Sequence, residues 1–289
     1  MHARINDASI FFDVVGAALA VTPTGMAQRP TVVALHGGPG LDHSGLRPWL
    51  DDLSEVAQLI YLDHRGNGRS SRHDPSSYTM AQLADDVEGL RIHLGLDEVI
   101  VLGHSFGGKV AQEFARRHPD SLAALVLVDT APGAQFGHDA QAAAAARATP
   151  AQLDVLPSLF RGEIVTAQDW DNWWQICLPL YFAAPERSAD AMAAMGARAI
   201  SAPEVARHMM RHETPHFDAR PDLPSIDVPA LVVVGRHDWV TPVGQSKEMA
   251  ELLPHARLVV FEESGHMPHI EQQAEFIAAV SDFIKEVAR

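Results

Sequence analysis

Val99-Ile100-Val101-Leu102-Gly103-His104-Ser105-Phe106-Gly107-Gly108 is the stretch on which the fold turns. Its first four residues form an apolar, largely β-branched run, as expected for a strand covered on both faces. A glycine-rich turn follows, and a helical stretch over about 106–117 follows the turn. The same rhythm extends in both directions. Thr31–Leu35, Gln58–Leu62, Ala124–Val128, Leu231–Val234 and Leu258–Phe261 are further strand candidates. Helix candidates lie at about 46–56, 79–94, 243–253 and 269–287. The segment near 5–15, with Ile5, Ile10, Phe11, Phe12 and Val14, is expected to supply edge strands. Strands alternating with helices predict an α/β fold around a mostly parallel sheet flanked by helices.

The rhythm breaks between about 133 and 220. That segment has no strong strand candidate and reads as helical, punctuated by Pro150, Pro157, Pro179, Pro185 and Pro203. Its one low-complexity run, Ala142–Ala146, also reads as helix. Strand signals resume after Pro221-Asp222-Leu223-Pro224. The economical reading is a helical cap, 133–220, inserted between two strands of a domain formed by 1–132 and 221–289.

Composition narrows the function. The chain has 289 residues, 47% of them hydrophobic and 20% charged, so it can bury a core. Its 22 basic and 37 acidic residues leave a formal charge of −15, which repels nucleic-acid phosphates and anionic lipid. The expected partner is therefore a small-molecule or short-peptide substrate, with neither nucleic acid nor membrane. Cys177 is the single cysteine, so no intrachain disulfide or cysteine-based zinc site can form. No apolar run approaches a membrane span, and the first fifteen residues lack a signal-peptide core. A cytoplasmic location is expected, and the oligomeric state is open.

Gly103-His104-Ser105-Phe106-Gly107 carries the chemistry. G-x-S-x-G between a strand and a helix is the context of a nucleophile elbow. Such a turn lifts the serine hydroxyl clear of the sheet, at a helix N-terminus that favours developing negative charge. The bland alternative is a glycine-rich turn with an incidental serine. A serine needs a base, and the base needs an acid to hold its tautomer. His266, in Ser264-Gly265-His266-Met267-Pro268 just after the last strand candidate, is the expected base. Asp238, just after Leu231–Val234, is the expected acid. Among sixteen histidines, His237 and His269 are the nearest rivals to His266, and Asp129 is the rival to Asp238. The oxyanion requires backbone donors. His36-Gly37-Gly38-Pro39-Gly40 offers the Gly38 N–H first and the Gly37 N–H second, with the Phe106 N–H as partner.

With these residues in place, the chain resembles an α/β-hydrolase fold serine hydrolase. The run at 36–40, Asp63-His64-Arg65-Gly66-Asn67-Gly68-Arg69-Ser70, the elbow, Asp238 and His266 carry the resemblance through the whole catalytic part. HGGPG followed by DxRGxGxS is similar to the proline iminopeptidase family, which removes N-terminal residues and includes amino-acid amide hydrolases. The resemblance implies an aminopeptidase that works through an acyl-enzyme without cofactor or metal. Two departures dilute it. The family's elbow commonly has glycine and tryptophan around the serine, where this chain has His104 and Phe106. His-Ser-Phe-Gly-Gly is common among esterases and lactonases, so a carboxylesterase or lactonase is the alternative. A non-catalytic small-molecule receptor is the alternative of another class.

Three further features bear on the substrate and on metals. Trp170, Trp173 and Trp174 lie in a segment, 162–186, with Glu163, Asp169, Asp171 and Glu186 and no lysine or arginine. Such a patch suits an apolar ligand bearing an ammonium group, although packing tryptophans and solvated acids would look the same. The family resemblance implies cap carboxylates that hold the substrate's free α-amine, with Glu204 and Glu213 as candidates. His104 and Trp239, which adjoin Ser105 and Asp238, complete the candidate substrate-binding set. In the DxRGxGxS run, Arg65 and Asp63 are expected to pair and brace the loop. His212-Glu213-Thr214-Pro215-His216 satisfies H-E-x-x-H, but that zinc chemistry needs both histidines on one intact helix, and Pro215 lies between them.

Overall fold

The computed structural model describes residues 1–23, 25–134 and 138–288. Its strands are β1 (His2–Ile5), β2 (Ala8–Val15), β3 (Leu19–Thr22), β4 (Gly25–Gln28), β5 (Thr31–Leu35), β6 (Gln58–Leu62), β7 (Val99–His104), β8 (Leu122–Val128), β9 (Ala230–Gly235) and β10 (Ala256–Phe261). Eight of them form one sheet in the order β1-β2-β6-β5-β7-β8-β9-β10. β1 and β2 pair antiparallel at one edge, β2 also runs antiparallel to β6, and from β6 to β10 every pairing is parallel. The apolar runs are continuous because both faces are covered. Val33, Leu35, Val99 and Val101 face a core shared with α1 (Met80–His93) and α2 (Phe106–Arg117). Their neighbours Val32, Ala34, Ile100 and Leu102 face a core on the other side. The period-two alternation of a strand assigns each residue to its side.

Most boundaries follow the sequence signals. Three departures have local causes. Residues 46–56, expected as a helix, form turns and a short 3-10 stretch at Asp51–Glu55. Pro48 has no N–H to donate to a helical ladder there. The C-terminal helix is divided into α9 (Pro268–Glu271) and α10 (Gln273–Val287) at Gln272, whose φ of −128° leaves the helical region. β3 and β4 form a separate, largely exposed hairpin that periodicity did not reveal.

Between β8 and β9 the chain builds α3 (His138–Ala145), α4 (Pro150–Phe160), α5 (Ala167–Cys177), α6 (Ala189–Arg198) and α7 (Pro203–His212). Thr149 starts α4 with a reciprocal capping box to Gln152, and Thr166 caps α5 at Asp169. These helices pack around a third core of Leu156, Trp170, Trp173, Tyr181 and Phe182. That core also takes in Trp239, Val240 and Met267 from the loops after β9 and β10. The helical insertion therefore packs on the loops at the carboxyl ends of the parallel strands. The last helix before α9, α8 (Val243–Leu252), backs β9 and β10.

Candidate active site

β7 delivers Ser105 to the mouth of the sheet through a turn that few sequences could make. Ser105 sits at φ 55° and ψ −117°, directly before α2. A methyl at Gly103 would collide with the carbonyl of Gly107, and a methyl at Gly107 with the carbonyl of Leu35. Both positions therefore require glycine, which explains the G-x-S-x-G spacing in steric terms. Positive φ at a serine is a strained conformation that the surroundings must hold. The Ser105 N–H donates to Val128 O at 2.9 Å, and the Thr130 hydroxyl donates to Ser105 O at 2.7 Å, so the end of β8 supplies that support.

Ser105, His266 and Asp238 form one hydrogen-bonded row. The Ser105 hydroxyl donates to His266 Nε2 across 2.9 Å, and His266 Nδ1–H donates to Asp238 Oδ2 across 2.8 Å. Asp238 also accepts from the Val240 and Thr241 N–H groups and from the Thr241 hydroxyl. Burial pushes its carboxyl up, but His266 and the Thr241 hydrogen bonds outweigh that and hold it below its ordinary value. All three residues are nearly excluded from solvent. An imidazole held in this tautomer can take a proton from the hydroxyl while the carboxylate steadies the resulting imidazolium.

The glycine run lies against this row. A Cβ at Gly37 would stand 3.3 Å from Ser105 Cβ, and Gly38 adopts φ +126°. Both glycines, with Ser105 and His266, line a narrow chamber. The Phe106 amide belongs to the first residue of α2, where N–H groups lack intrahelical acceptors. Gly37 and Gly38 thus stand in the same chamber as the serine, and Phe106 follows it in the chain.

Most of the rest of the chamber, Trp174 and His104 apart, comes from places that no sequence feature marked. Leu159, Phe160, Trp174, Met195 and Met210 of the insertion, with Val240 of the loop after β9, supply an apolar wall. Asp42 is its only carboxylate among the described residues. It is already occupied: Oδ1 accepts from Ser44, while Oδ2 accepts from Arg69 and from the Ile200 N–H. Tyr181 stacks edge-on to His266 at 5.4 Å, and its carbonyl accepts the His266 N–H at 2.7 Å. No sequence signal distinguished Tyr181, because only the folded insertion brings it to His266.

The substrate-binding candidates divide. Trp174 and His104 line the chamber. His104 Nε2–H also donates to the His266 carbonyl at 2.9 Å, and burial with His269 and His266 nearby holds its imidazole well below the ordinary value, hence neutral. Trp170 faces a neighbouring chamber and donates to Ser201 Oγ at 2.9 Å. Trp173 is spent inside the insertion, its indole donating to Val155 O at 3.1 Å. Trp239 is fully buried behind Tyr181 and Phe160. Glu204 and Glu213 are corrected outright as ammonium ligands of this chamber. Glu204 is exposed and paired with Arg72 at 3.0 Å, and Glu213 accepts the Met80 N–H at the start of α1 at 2.9 Å. Glu204 points outward because the amphipathic α7 turns its apolar face, with Val205, Met209 and Met210, inward, and Glu213, just past the end of α7, is spent on α1.

Two other expectations resolve here. Arg65 pairs with Asp86 through two 2.8 Å contacts and with Asp7, not with Asp63. Asp63 instead accepts from the ring and backbone of His43 and from the Arg69 N–H. The bidentate fork of Asp86 matches the guanidinium plane, which explains the exchange of partners. α7 ends at His212 and Pro215 lies in a separate 3-10 turn, Thr214–His216, so His212 and His216 do not share a helix. Asp129 lies behind Asp238 and makes no hydrogen bond to His266; its Oδ1 accepts the Gly235 N–H at 2.8 Å.

Comparison with known proteins agrees with this architecture. "Proline iminopeptidase PfmaB" of Pestalotiopsis fici is 31% identical over 275 residues, covering 91% of this chain and 94% of that protein. "Putative carbamate hydrolase RutD" of Pseudomonas savastanoi pv. phaseolicola is 30% identical over 270 residues, covering 89% and 95%. Among solved structures, the enol-lactonase from Burkholderia xenovorans LB400 superposes with a TM-score of 0.78 at 25% identity, over 99% of this chain and 100% of that one. The esterase RhEst1 from Rhodococcus sp. shares the fold at a TM-score of 0.79 and 24% identity, over 99% and 98%. The family model of the alpha/beta hydrolase fold matches residues 30–273, and the chain belongs to that family.

Proposed function

We propose that this chain is a serine hydrolase that cleaves esters or lactones of uncharged, apolar acyl groups through an acyl-enzyme. Ser105 Oγ attacks the carbonyl carbon as His266 Nε2 takes its proton. The tetrahedral oxyanion lies toward the Gly38 and Phe106 amides, with Gly37 beside them. The Nε2 proton passes to the leaving alcohol as the C–O bond breaks. Water then attacks the acyl carbon, Nε2 takes its proton, and the serine hydroxyl is restored when the acid departs. Asp238 holds the imidazole and stabilises its charged form throughout. In this reading 133–220 is a cap over a catalytic domain of 1–132 and 221–289.

The chamber wall carries the choice of substrate. Its only described carboxylate, Asp42, is already shared by a hydroxyl, an arginine and a backbone amide, so an ammonium group would enter an apolar space without a free counter-charge. An aminopeptidase is the second reading. It is favoured by the relatives named proline iminopeptidase and by the adjoining chamber, whose lining includes Trp170, Trp174 and Asp171. A substrate panel separates the two: acetyl and butyryl aryl esters and a lactone against Pro-, Ala- and Phe-linked aryl amides. We expect ester turnover without a free α-amine, and activity confined to substrates bearing that amine would overturn the reading. Ser105→Ala should abolish turnover with the fold intact by circular dichroism. Covalent labelling of the native protein by a fluorophosphonate should fail in that variant. A native protein that does not label would instead support the receptor alternative.

A further inference from the structure

Behind the row of Ser105, His266 and Asp238 lies a second buried carboxyl group. Asp129 follows the last residue of β8 and is fully excluded from solvent. It adopts φ +44°, an uncommon conformation for a residue with a side chain. Its N–H donates to Val233 O at 2.9 Å and its Oδ1 accepts the Gly235 N–H at 2.8 Å. These two bonds to β9 fix the direction of the carboxyl. Among the described residues, no N–H or O–H donor reaches Oδ2. Yet one carboxyl oxygen of Asp129, one of Asp238 and one ring nitrogen of His266 all lie within 4.8 Å of one another.

A buried carboxylate oxygen without a donor is costly, and a like charge this close disfavours ionising both carboxyl groups. Asp238 is the better anion, since it accepts four hydrogen bonds where Asp129 accepts one. We propose that Asp129 is a neutral carboxylic acid whose Oδ2–H donates to the Asp238 carboxylate, making it a positioning residue for the acid–base pair. The added proton turns the orphaned acceptor into a donor and removes the like-charge conflict. Burial first, and the charge of Asp238 second, push the Asp129 carboxyl well above its ordinary value, in agreement with the geometry. Glu271 adds to the same effect. Asp238 in turn is faced by His266, Thr241, Tyr181 and Arg147. The donated bond draws charge from Asp238, so the imidazolium of His266 is held less tightly than an unbridged carboxylate would hold it.

This role rests on the proposed serine mechanism, whereas the protonation of Asp129 does not. Infrared difference spectra of the wild type against Asp129→Asn at neutral pH test protonation directly, and the C=O stretch of a buried carboxylic acid should vanish in the variant. For the positioning role, kcat/KM on a butyryl aryl ester is measured against pH. Asp129→Asn keeps shape and an N–H donor, so it should retain activity within about threefold. Asp129→Ala should lose about tenfold and shift its acid limb to higher pH. Absence of the infrared band in wild type overturns the proposal. So do equal losses in both variants, which would mean that an ionised carboxylate is required, and unchanged kinetics in both. Should the alanine variant not fold, the asparagine variant and the infrared band still decide. Fluorophosphonate labelling of wild type is run alongside: a protein that does not label removes the serine mechanism, and the spectra then judge Asp129 alone.

Discussion

Lys109 is a residue whose cost the fold accepts at its own scale. It lies on α2, fully buried, with Nζ donating to the Gly133 carbonyl and resting 4.7 Å from the Phe217 ring centroid. Burial, reinforced by Arg220 and opposed by Asp218, pushes its ammonium down to about 7. The unfolded chain holds that proton up to its ordinary value of 10.5, so between about 7 and 10.5 the unfolded state binds more protons. Stability from this group therefore rises with pH across that window, and the full penalty applies below it. Urea midpoints at pH 7 and pH 9.5 check this: the wild type should gain between the two, and Lys109→Met should gain less. Parallel curves would contradict it. The glycines of the elbow differ in kind, because Gly103 and Gly107 are dictated by backbone atoms and can be read from the sequence through their spacing alone.

At the scale of elements, the loops that carry His266 and Asp238 are tied to the helical insertion by half-buried groups outside every motif. Glu271 of α9 accepts from the Gly265 N–H at 2.6 Å and from the Ala183 N–H at 2.7 Å. Arg147, in the turn after α3, donates to the carbonyls of Phe182 and His237. One carboxylate and one guanidinium thus join the ends of β9 and β10 to the stretch after Tyr181. Glu271→Ala would leave partly buried amides without an acceptor, at a cost of about 1–3 kcal/mol. It should also loosen His266 more than it loosens the sheet. The expected result is a lower kcat, with a smaller loss in thermal midpoint than a core truncation such as Phe276→Ala produces. Equal effects on both readouts would argue that Glu271 serves stability alone. The strands and the helices at 79–94, 106–117 and 243–253 were legible because each repeats a simple apolar pattern. The turns at 46–56 were not, because that segment has helical apolar spacing but carries Pro48 inside it.

For the molecule as a whole, the insertion sets the shape of the reaction space. Trp174, Leu41, Asp42, Gly45 and Met195 line both the serine chamber and the apolar chamber beside it, so Trp174 stands in the shared wall. Trp174→Ala should join the two spaces and favour longer acyl chains. The ratio of kcat/KM for octanoyl over acetyl aryl esters is expected to rise by at least about tenfold, the change that one further methylene accommodated in an apolar pocket brings. An unchanged ratio would place the acyl chain elsewhere. Among the described residues no helix is long and apolar enough to cross a membrane.

The sequence by itself determined the α/β class and the helical character of the insertion, and it marked Ser105, His266, Gly37, Gly38 and Phe106 as candidates. Each of these depends on local chemistry: a strand's apolar run, a turn that admits only glycine, or a polar residue just beyond a strand's carboxyl end. Tertiary structure alone decided that Asp238 rather than Asp129 faces His266, that Tyr181 backs the imidazole, and that Arg65 pairs with Asp86 instead of Asp63. It also turned Glu204 and Glu213 away from the serine and occupied Asp42 with other donors. Those outcomes depend on which surfaces of distant segments meet when three cores close together. Neither spacing nor composition carries that information, because hydrophobic burial fixes which faces turn inward only once the partner faces exist.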